Sequence, residues 1–258
     1  MPLEDDFCDI IRKARAGLGR TTVAVASDAN LAPLRLEALE AGQMPTSSEV
    51  EHLAAVLGLR AGPLRAIATA AAEPPPQRPP KGYAVTAVFA RDVGAFAYAV
   101  EGPGAVFLVD CGGDVPRLLG ALGRTPDAVL ITHGHHDHVG GLGTLPPGVE
   151  VYAHPELSRR IPGSRPLENG ERVAGLDVMY APGHSLDMLA FLGDGLAFVG
   201  DTIFAGSLGR ADSARNYPVL LETARRILAA PDDTVLYCGH GPVTSVAWER
   251  EHNAFPVA

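Results

Sequence analysis

The sequence predicts an α/β protein in which a small all-α domain precedes a larger layered α/β sandwich. Three features carry this prediction. Apolar residues recur at helical spacing in residues 1–71, five prolines follow within residues 72–82, and short apolar runs separated by Gly and Pro turns fill residues 83–258. The 258 residues, 47% of them hydrophobic, provide enough apolar side chains for one large domain or two smaller ones.

Five short amphipathic helices are predicted in the N-terminal segment. The apolar side chains of the first helix recur on one face: Phe7, Ile10, Ile11, Ala14 and Leu18. A second helix is predicted over residues 21–29, and Pro33 suits the first position of the third. Ser48 and Glu51 have the spacing of a capping box that opens a fourth helix, and the fifth is predicted to follow Pro63. Residues 1–71 are therefore expected to form a helical domain.

The second and third predicted helices, joined by a tight turn, resemble the helix-turn-helix of Cro/repressor-type domains. Residues 25–31 and 37–43 carry the resemblance, which implies DNA binding. The third helix, however, offers only Arg35 for reading base edges, where several side chains are usual. Residues 1–75 also carry seven Lys and Arg against ten Asp and Glu, and an acidic domain does not attract phosphate. We therefore expect a packing or dimerisation module, which could make the protein a homodimer, in preference to a DNA-binding domain.

The proline-rich stretch at residues 72–82 predicts a semi-rigid linker, because proline lacks a backbone donor and favours extended backbone. Beyond it, two helices are predicted, over residues 115–122 and 217–228. The nine predicted strands cover residues 83–90, 95–100, 105–110, 128–132, 150–153, 173–180, 188–191, 196–199 and 234–237. Two β-rich halves with interspersed helices are typical of a layered α/β sandwich over residues 83–258.

Composition argues against several classes of protein. The formal net charge is −9, and residues 76–258 carry 14 Lys and Arg against 20 Asp and Glu, which disfavours a nucleic-acid groove. The three cysteines, Cys8, Cys111 and Cys238, are too few for a disulfide framework and indicate a reducing compartment. The first residues are acidic where a signal peptide is basic, and no apolar run approaches the roughly 18 residues of a membrane span. We therefore expect a cytoplasmic protein without a membrane segment.

A dense group of metal-ligand residue types follows the strand predicted over residues 128–132. His133, His135 and Asp137 alternate along the chain, and His138 comes next. Side chains two residues apart on extended backbone point the same way, so His133 and His135 can share one ion. Asp137 and His138 are adjacent and can diverge toward a second ion. Imidazole nitrogen and carboxylate oxygen suit zinc or another borderline divalent metal.

Three later residues of metal-ligand types share one arrangement. Each lies next to a glycine and follows an apolar strand. His184 follows Gly183, Asp201 follows Gly200, and His240 lies between Gly239 and Gly241. Strands of one sandwich end at a common edge, so these side chains are expected to join the first group there.

The ordered set from His133 to His240 matches all seven ligand positions of the metallo-β-lactamase-fold hydrolases, and residues 200–210 and 232–242 are similar to the glyoxalase II group. This resemblance implies a four-layer αβ/βα sandwich that holds two divalent metal ions, zinc in preference to iron or manganese. The implied ligands of one ion are His133, His135 and His184. Those of the other are Asp137, His138 and His240, with Asp201 and a hydroxide bridging both.

The same resemblance implies a small-molecule thioester substrate, an S-2-hydroxyacyl conjugate of a thiol, and the chemistry of such a site suits a thioester. Two ions ~3.5–4 Å apart lower the pKa of a shared water, and a thiolate of pKa near ~8.5 leaves without a general acid. Asp137 is expected to orient the hydroxide as well as to bind metal, which makes it the candidate catalytic residue. Arg210 stands where glyoxalase II enzymes have a basic residue that binds the glutathione carboxylate. The alternative for Arg210 is an ion pair with Asp212.

Two departures from the long glyoxalase II pattern predict a short branch of that group, or an enzyme that uses another thiol. Only 18 residues follow His240, and Gly241-Pro242 replaces the Glu-Tyr of the long forms. Three other functions stay open. One is a persulfide dioxygenase with a single iron on His133, His184 and Asp201. The others are a lactonase or other ester hydrolase, and a DNA-binding regulator with a metal-binding sensor domain.

Overall fold

Two six-stranded sheets face each other in the structure, a computed structural model that describes residues 1–257. In the first sheet the strands follow chain order, with β1–β3 antiparallel and β3–β6 parallel. Its strands are β1 (Ala84–Ala90), β2 (Ala95–Gly102), β3 (Ala105–Val109), β4 (Ala128–Leu130), β5 (Glu150–Ala153) and β6 (Arg165–Pro166).

The second sheet has the order β14-β13-β10-β9-β8-β7, and a separate hairpin, β11–β12, follows β10. Only β10 and β13 run parallel, so both end at the same edge. The remaining strands are β7 (Arg172–Val173), β8 (Leu176–Tyr180), β9 (Leu189–Gly193), β10 (Leu196–Gly200), β11 (Ile203–Phe204), β12 (Ser207–Leu208), β13 (Val235–Cys238) and β14 (Thr244–Ser245).

Large aromatic side chains fill the space between the sheets. The Phe198 ring lies 5.0 Å from Tyr237 and 5.5 Å from Tyr98, and Phe107 and Phe191 are fully buried in the same cluster. Burying a side chain of this size contributes roughly 1.5–3 kcal/mol each. Alternate residues of each strand therefore hold the two sheets together, and the strand ends are left to carry the polar groups.

Helices cover the outer face of each sheet, which confirms the predicted αβ/βα layering. On the first sheet these are α6 (Val115–Leu122), α7 (His136–Val139) and α8 (Pro155–Ser158), with a 3₁₀ turn at Leu142–Thr144. On the second sheet they are α9 (Tyr217–Ile227) and α10 (Val246–His252). Within residues 1–257 no helix is both long enough and apolar enough to cross a membrane.

Five further helices precede the sandwich: α1 (Phe7–Gly17), α2 (Thr22–Asp28), α3 (Pro33–Glu40), α4 (Ser47–Leu57) and α5 (Ala61–Ala68). Their buried side chains, such as Ile11 and Leu36, belong to the same hydrophobic cluster as Phe204, Leu208 and Tyr217. The helical segment therefore does not have a core separate from the second sheet. Residues 72–80 contain no helix or strand, as the proline-rich sequence predicts.

Three details of the helical prediction are wrong. Helix α5 begins at Ala61 and so includes Pro63 in its first turn, instead of following it. Leu18 is 43% exposed, because α1 ends at Gly17 and the chain turns away from the core. The capping box of α4 is formed by Thr46 and Glu49, two residues earlier than predicted. The Glu49 amide donates to Thr46 Oγ1 at 3.3 Å, and the Thr46 amide donates to Glu49 Oε2 at 2.7 Å. Thr46 has the extended backbone that a cap needs, whereas Ser48 is already helical.

The predicted strand over residues 173–180 is interrupted. Ala174 and Gly175 adopt positive φ angles of 50° and 83°, and the resulting turn separates β7 from β8. Glycine tolerates this backbone without a Cβ penalty, so the hairpin forms where sequence alternation alone predicts a continuous strand.

Arg35 on α3 is engaged within the helical segment. Its guanidinium donates to both carboxylate oxygens of Glu49, at 2.7 and 2.9 Å, and to Gln43 Oε1 at 2.8 Å. The one side chain that the sequence offered for reading a base edge is thus already paired. This arrangement favours a packing role for α3.

Candidate metal centre

The structure brings all seven sequence-predicted ligands to one edge of the sandwich. The first four ligands come after strand β4: His133 follows the strand, and the turn and helix α7 carry His135, Asp137 and His138. The other three each follow a strand of the second sheet: His184 follows β8, Asp201 follows β10, and His240 follows β13. Because β10 and β13 are parallel, the carboxylate and the last histidine emerge side by side.

The first group consists of His133, His135, His184 and Asp201, whose ligand atoms all lie within 4.8 Å of one another. His135 Nδ1 is 2.9 Å from His133 Nε2 and 3.0 Å from His184 Nε2, and His184 Nε2 is 3.5 Å from Asp201 Oδ2. Atoms bound at ~2.0–2.1 Å to one tetrahedral ion lie roughly 3.3 Å apart. The observed separations are close to that spacing.

The second group consists of Asp137, His138 and His240. Asp137 Oδ2 is 3.3 Å from His240 Nε2 and 3.8 Å from His138 Nε2. Asp201 adjoins this group as well, with Oδ1 3.3 Å from His138 Nε2 and Oδ2 3.3 Å from His240 Nε2. One carboxylate therefore stands between two sets of histidines.

The second ring nitrogen of four histidines is occupied outside the cluster. His133 Nδ1 lies 3.1 Å from Thr132 Oγ1. His138 Nδ1 lies 2.8 Å from Asp110 Oδ2, His184 Nδ1 lies 2.8 Å from the Arg210 carbonyl, and His240 Nδ1 lies 2.9 Å from the Gly94 carbonyl. Such contacts orient the imidazole and leave Nε2 directed at the cluster, as in metal-binding histidines generally.

Asp110 is a functional candidate that the sequence interpretation missed. It follows β3, is buried, and accepts hydrogen bonds from the amide and hydroxyl of Thr132, both at 2.8 Å, in addition to its contact with His138. Its φ of 59° is unusual for a residue other than glycine. The available signal was an aspartate directly after an apolar strand, the pattern that identified Asp201.

Burial and neighbouring charges shift the pKa values of these histidines in opposite directions. Burial lowers the pKa of His133 well below its usual range. At His138 burial acts in the same direction, but the Asp110 and Asp201 carboxylates outweigh it and raise the pKa. Burial would also lower the pKa of His240, yet Asp137 and Asp201 raise it to about 10. Positive charge is thus strongly favoured beside Asp201.

Two buried atoms in the cluster lack a hydrogen-bond partner: His138 Nε2 and Asp201 Oδ1. They are 3.3 Å apart, but their geometry is not that of a hydrogen bond. Leaving buried polar atoms unpaired costs about 1–3 kcal/mol, and a divalent cation would satisfy both. The donor set of imidazole and carboxylate also suits zinc, iron or manganese, so these residues fit two metal ions.

Three glycines allow the backbone to close around the ligands. A Cβ at Gly112 would lie 1.5 Å from the Asp137 carbonyl oxygen, and one at Gly209 would lie 1.8 Å from the Asp201 carbonyl oxygen. A Cβ at Gly239 would lie 2.1 Å from Asp201 Oδ1. Any other residue at these positions would displace a ligand.

A cleft of about 480 Å³ opens beside the first group, between His135 and the exposed Leu186. Arg210 lies beyond His184 and its side chain is exposed. The alternative sequence interpretation, an ion pair between Arg210 and Asp212, is wrong. Asp212 accepts hydrogen bonds from Ser213 and Asn216 instead, and within residues 1–257 the Arg210 side chain forms no ion pair. The guanidinium therefore faces solvent, on a residue whose carbonyl contacts His184.

The other histidines and cysteines of the sandwich belong to neither ligand group. His136 is exposed, and His154 caps α8 and stacks on Tyr180 at 5.1 Å. Burial raises the pKa of both Cys111 and Cys238, which opposes thiolate formation.

Comparison with known proteins decides the family. A family model described as the metallo-beta-lactamase superfamily matches residues 90–172 and 166–240. The chain belongs to the metallo-beta-lactamase superfamily. The fold expected from the sequence is thereby confirmed for the sandwich, and the helical segment lies outside the match.

Curated relatives resemble the chain over part of its length. A hydroxyacylglutathione hydrolase from Photobacterium profundum is 36% identical over 143 residues, which are 52% of this chain and 56% of that protein. One from Xanthomonas campestris pv. campestris is 35% identical over 150 residues, 55% of this chain and 58% of that protein. The chain thus spans just over half the length of these curated relatives.

Solved structures align with about two thirds of the chain. TTHA1623 in a di-iron-bound form is 32% identical, with a TM-score of 0.58 over 67% of this chain and 100% of that chain. ETHE1 from Myxococcus xanthus is 26% identical, with a TM-score of 0.56 over 66% of this chain and 83% of that chain.

Proposed function

We propose that this superfamily member is a metal-dependent hydrolase of thioesters, with S-2-hydroxyacyl conjugates of a thiol as its substrates. The observation that carries the proposal is the pair of adjoining ligand groups that share Asp201. The similarity to hydroxyacylglutathione hydrolases supports the thioester as the substrate class.

The two ligand groups would hold two divalent ions, with zinc as the proposed metal. His133, His135 and His184 would bind one ion, Asp137, His138 and His240 would bind the other, and Asp201 would contact both. When bound, the ions would lower the pKa of a water and polarise the thioester carbonyl.

The protein's own groups would place the reactants. Asp137 is the proposed catalytic residue, because its half-buried carboxylate is at the edge of the second group and can orient the attacking water. The products are a carboxylic acid and a thiol, and water supplies the proton of the thiol. A thiolate of pKa ~8.5 needs no dedicated acid to leave, which agrees with a site built from metal ligands alone.

Arg210 is the proposed substrate-binding residue. Its exposed guanidinium makes no ion pair among residues 1–257, and its carbonyl lies against His184, so the side chain starts close to the first group. Guanidinium binds carboxylate through two parallel hydrogen bonds, which suits the carboxylate of a thiol such as glutathione.

Two proposals concern the rest of the chain. The helical segment is proposed to act by packing on the sandwich in preference to reading DNA, which the engagement of Arg35 by Glu49 supports. A reducing, cytoplasmic location is proposed on the basis of the three free cysteines, Cys8, Cys111 and Cys238.

The first test is metal content per chain, measured by mass spectrometry on protein purified without added metal. We expect about two ions, mostly zinc. Hydrolysis of S-lactoyl thiol conjugates should then be lost in His135→Ala, and His136→Ala is the matched control because its ring points to solvent. Full activity in His135→Ala would overturn the site assignment. One iron per chain together with oxygen consumption on a persulfide would overturn the hydrolase.

A further inference from the structure

We propose that the N-terminal helical segment is a working part of the metal centre: Asp5 and Lys13 position the loop that carries Asp201 and orients His184. The proposal rests on the metal centre proposed above. It gives the segment a role in catalysis that neither DNA binding nor dimerisation would require.

The loop in question runs from Asp201 to Arg210 and contains the β11–β12 hairpin. It contacts the ligands at both ends. Gly209 lies directly against the Asp201 carbonyl, and the Arg210 carbonyl is 2.8 Å from His184 Nδ1. A shift of this loop would therefore move one ligand and release the ring of another.

Helix α1 and the residues before it hold this hairpin from one side. Ser207 Oγ donates to Asp5 Oδ2 at 2.5 Å, and Lys13 Nζ donates to the Leu208 carbonyl at 2.8 Å and to Asp5 Oδ2 at 2.5 Å. Only 6% of the Asp5 side chain and 15% of the Lys13 side chain are exposed. Charged hydrogen bonds with so little water around them are strong and directional.

Lys13 also reaches the neighbourhood of the second ligand group. Its ammonium lies 4.7 Å from the centre of the Phe204 ring, and that ring packs 5.4 Å from the ring of His240. The same lysine thus contacts both strands of the hairpin, β11 through Phe204 and β12 through Leu208.

Helix α10 and the residue after it hold the hairpin from the other side. Glu249 accepts from the Gly206 amide at 3.1 Å, and Asn253 donates to the Ser207 carbonyl at 2.9 Å. A hairpin of two-residue strands outside both large sheets cannot fix its own position. The helical segment supplies one of its two anchors, so it is expected to affect the ligands that the loop carries.

If the helical segment had a purely structural role, substitutions of Lys13 and Arg15 would affect metal binding equally. Arg15 provides the comparison, because it lies on the same helix, forms a bidentate ion pair with Glu40, and is 19% exposed. Its hydrogen-bond partners, Glu40 and the Arg20 carbonyl, belong to the helical segment and not to the hairpin. Removing either cation disturbs α1, but only Lys13 acts on the loop.

The test is a Co²⁺ titration of the metal-free full-length protein, read by visible absorption, together with the thermal midpoint. We expect Lys13→Met to weaken Co²⁺ binding by about 10–100-fold and to change the absorption bands, which report ligand geometry. Ser207→Ala, a smaller change, should act in the same direction. Lys13→Arg, which keeps the donors and the charge, should restore most of the affinity. Arg15→Met should bind Co²⁺ within about two-fold of the unchanged protein, even where its thermal midpoint falls equally.

Equal Co²⁺ affinity in Lys13→Met and Arg15→Met would overturn the proposal, as would a loss that follows the thermal midpoint across all four variants. The Co²⁺ readout does not depend on the substrate. If the unchanged protein binds Co²⁺ but does not hydrolyse thioesters, the proposed function alone is contradicted. If Lys13→Met binds Co²⁺ as tightly as Arg15→Met does, the role of Lys13 alone is contradicted.

Discussion

At the scale of single residues, Asp110 is outside the set of seven proposed ligands, yet it contacts one of them directly. Its carboxylate accepts from Thr132 and contacts Nδ1 of His138, the ring nitrogen that points away from the cluster. We expect Asp110→Asn to reduce metal affinity and activity by about 10–100-fold, because an amide nitrogen facing His138 or Thr132 loses the contact. Metal content and kcat measure this.

Asp127→Asn is the matched control for that substitution. Asp127 directly precedes β4, and its carboxylate accepts from the Val106 amide at 2.9 Å, away from the cluster. Its substitution should cost stability without changing metal content. Equal metal loss in both variants would contradict a specific role for Asp110.

Glu49 is a single residue whose ionisation makes the stability of the protein depend on pH in acid. The Arg35 side chain, followed by the Thr46 cap, lowers its pKa from 4.5 to about 2. A lowered pKa in the folded state means that the ionised carboxylate stabilises the fold above about pH 4.5 and that this contribution disappears as the pH falls through about 2. Glu49→Gln should therefore lower the free energy of unfolding at pH 7, and the difference from the unchanged protein should vanish toward pH 2.

Urea unfolding across this pH range measures the effect. Glu51→Gln is the control, because Glu51 lies on the same helix in an exposed pair with Arg65. Its effect should be small at every pH. A Glu49→Gln difference that is independent of pH would show that lost packing, and not the charge, is responsible.

At the scale of elements, close approach of backbones decides whether the ligands can meet. Gly112→Ala should place a Cβ against the Asp137 carbonyl and displace α7, so we expect at least a roughly ten-fold loss of metal affinity. Gly120→Ala, in the exposed interior of α6, meets no atom within 4 Å and should stabilise the protein by about 0.5–1 kcal/mol. Metal titration and thermal unfolding of the two variants separate the outcomes. Normal metal binding by Gly112→Ala would contradict the close approach.

At the scale of the whole molecule, the helical segment and the second sheet share one hydrophobic cluster. We therefore expect a single cooperative unfolding transition, with far-ultraviolet circular dichroism and the fluorescence of Trp248, the only tryptophan, changing together. Leu36→Ala should shift both signals equally and cost about 2–5 kcal/mol, because Leu36 is fully buried.

Leu34→Ala on the same helix provides the control, since Leu34 is 77% exposed and its removal should cost little. If the helical signal were lost well before the Trp248 signal, the helical segment would be an independent unit. The role proposed for Lys13 in holding the hairpin would then lose its structural basis.

Sequence patterns were sufficient where a rule is local. Two local patterns predicted the residues that meet at one edge. One is the alternation of His133, His135 and Asp137 after an apolar strand, and the other is a metal-ligand residue beside glycine after each of three later strands. Sequence patterns failed to identify a residue whose contact partner is distant along the chain. Asp110 carries no signal besides its position, and its contact with His138 spans 28 residues of chain.

The sequence by itself determined the layered sandwich and the residues that gather at its edge, because strand periodicity and ligand spacing are encoded within short stretches of chain. Tertiary structure alone decided what surrounds them. Asp5 and Ser207 are 202 residues apart and Lys13 and Leu208 are 195 apart, yet each pair is in contact. Such contacts depend on how helices pack on a sheet, which no local pattern specifies. For the same physical reason, the sequence did not reveal that the N-terminal helical segment lies against the β11–β12 hairpin.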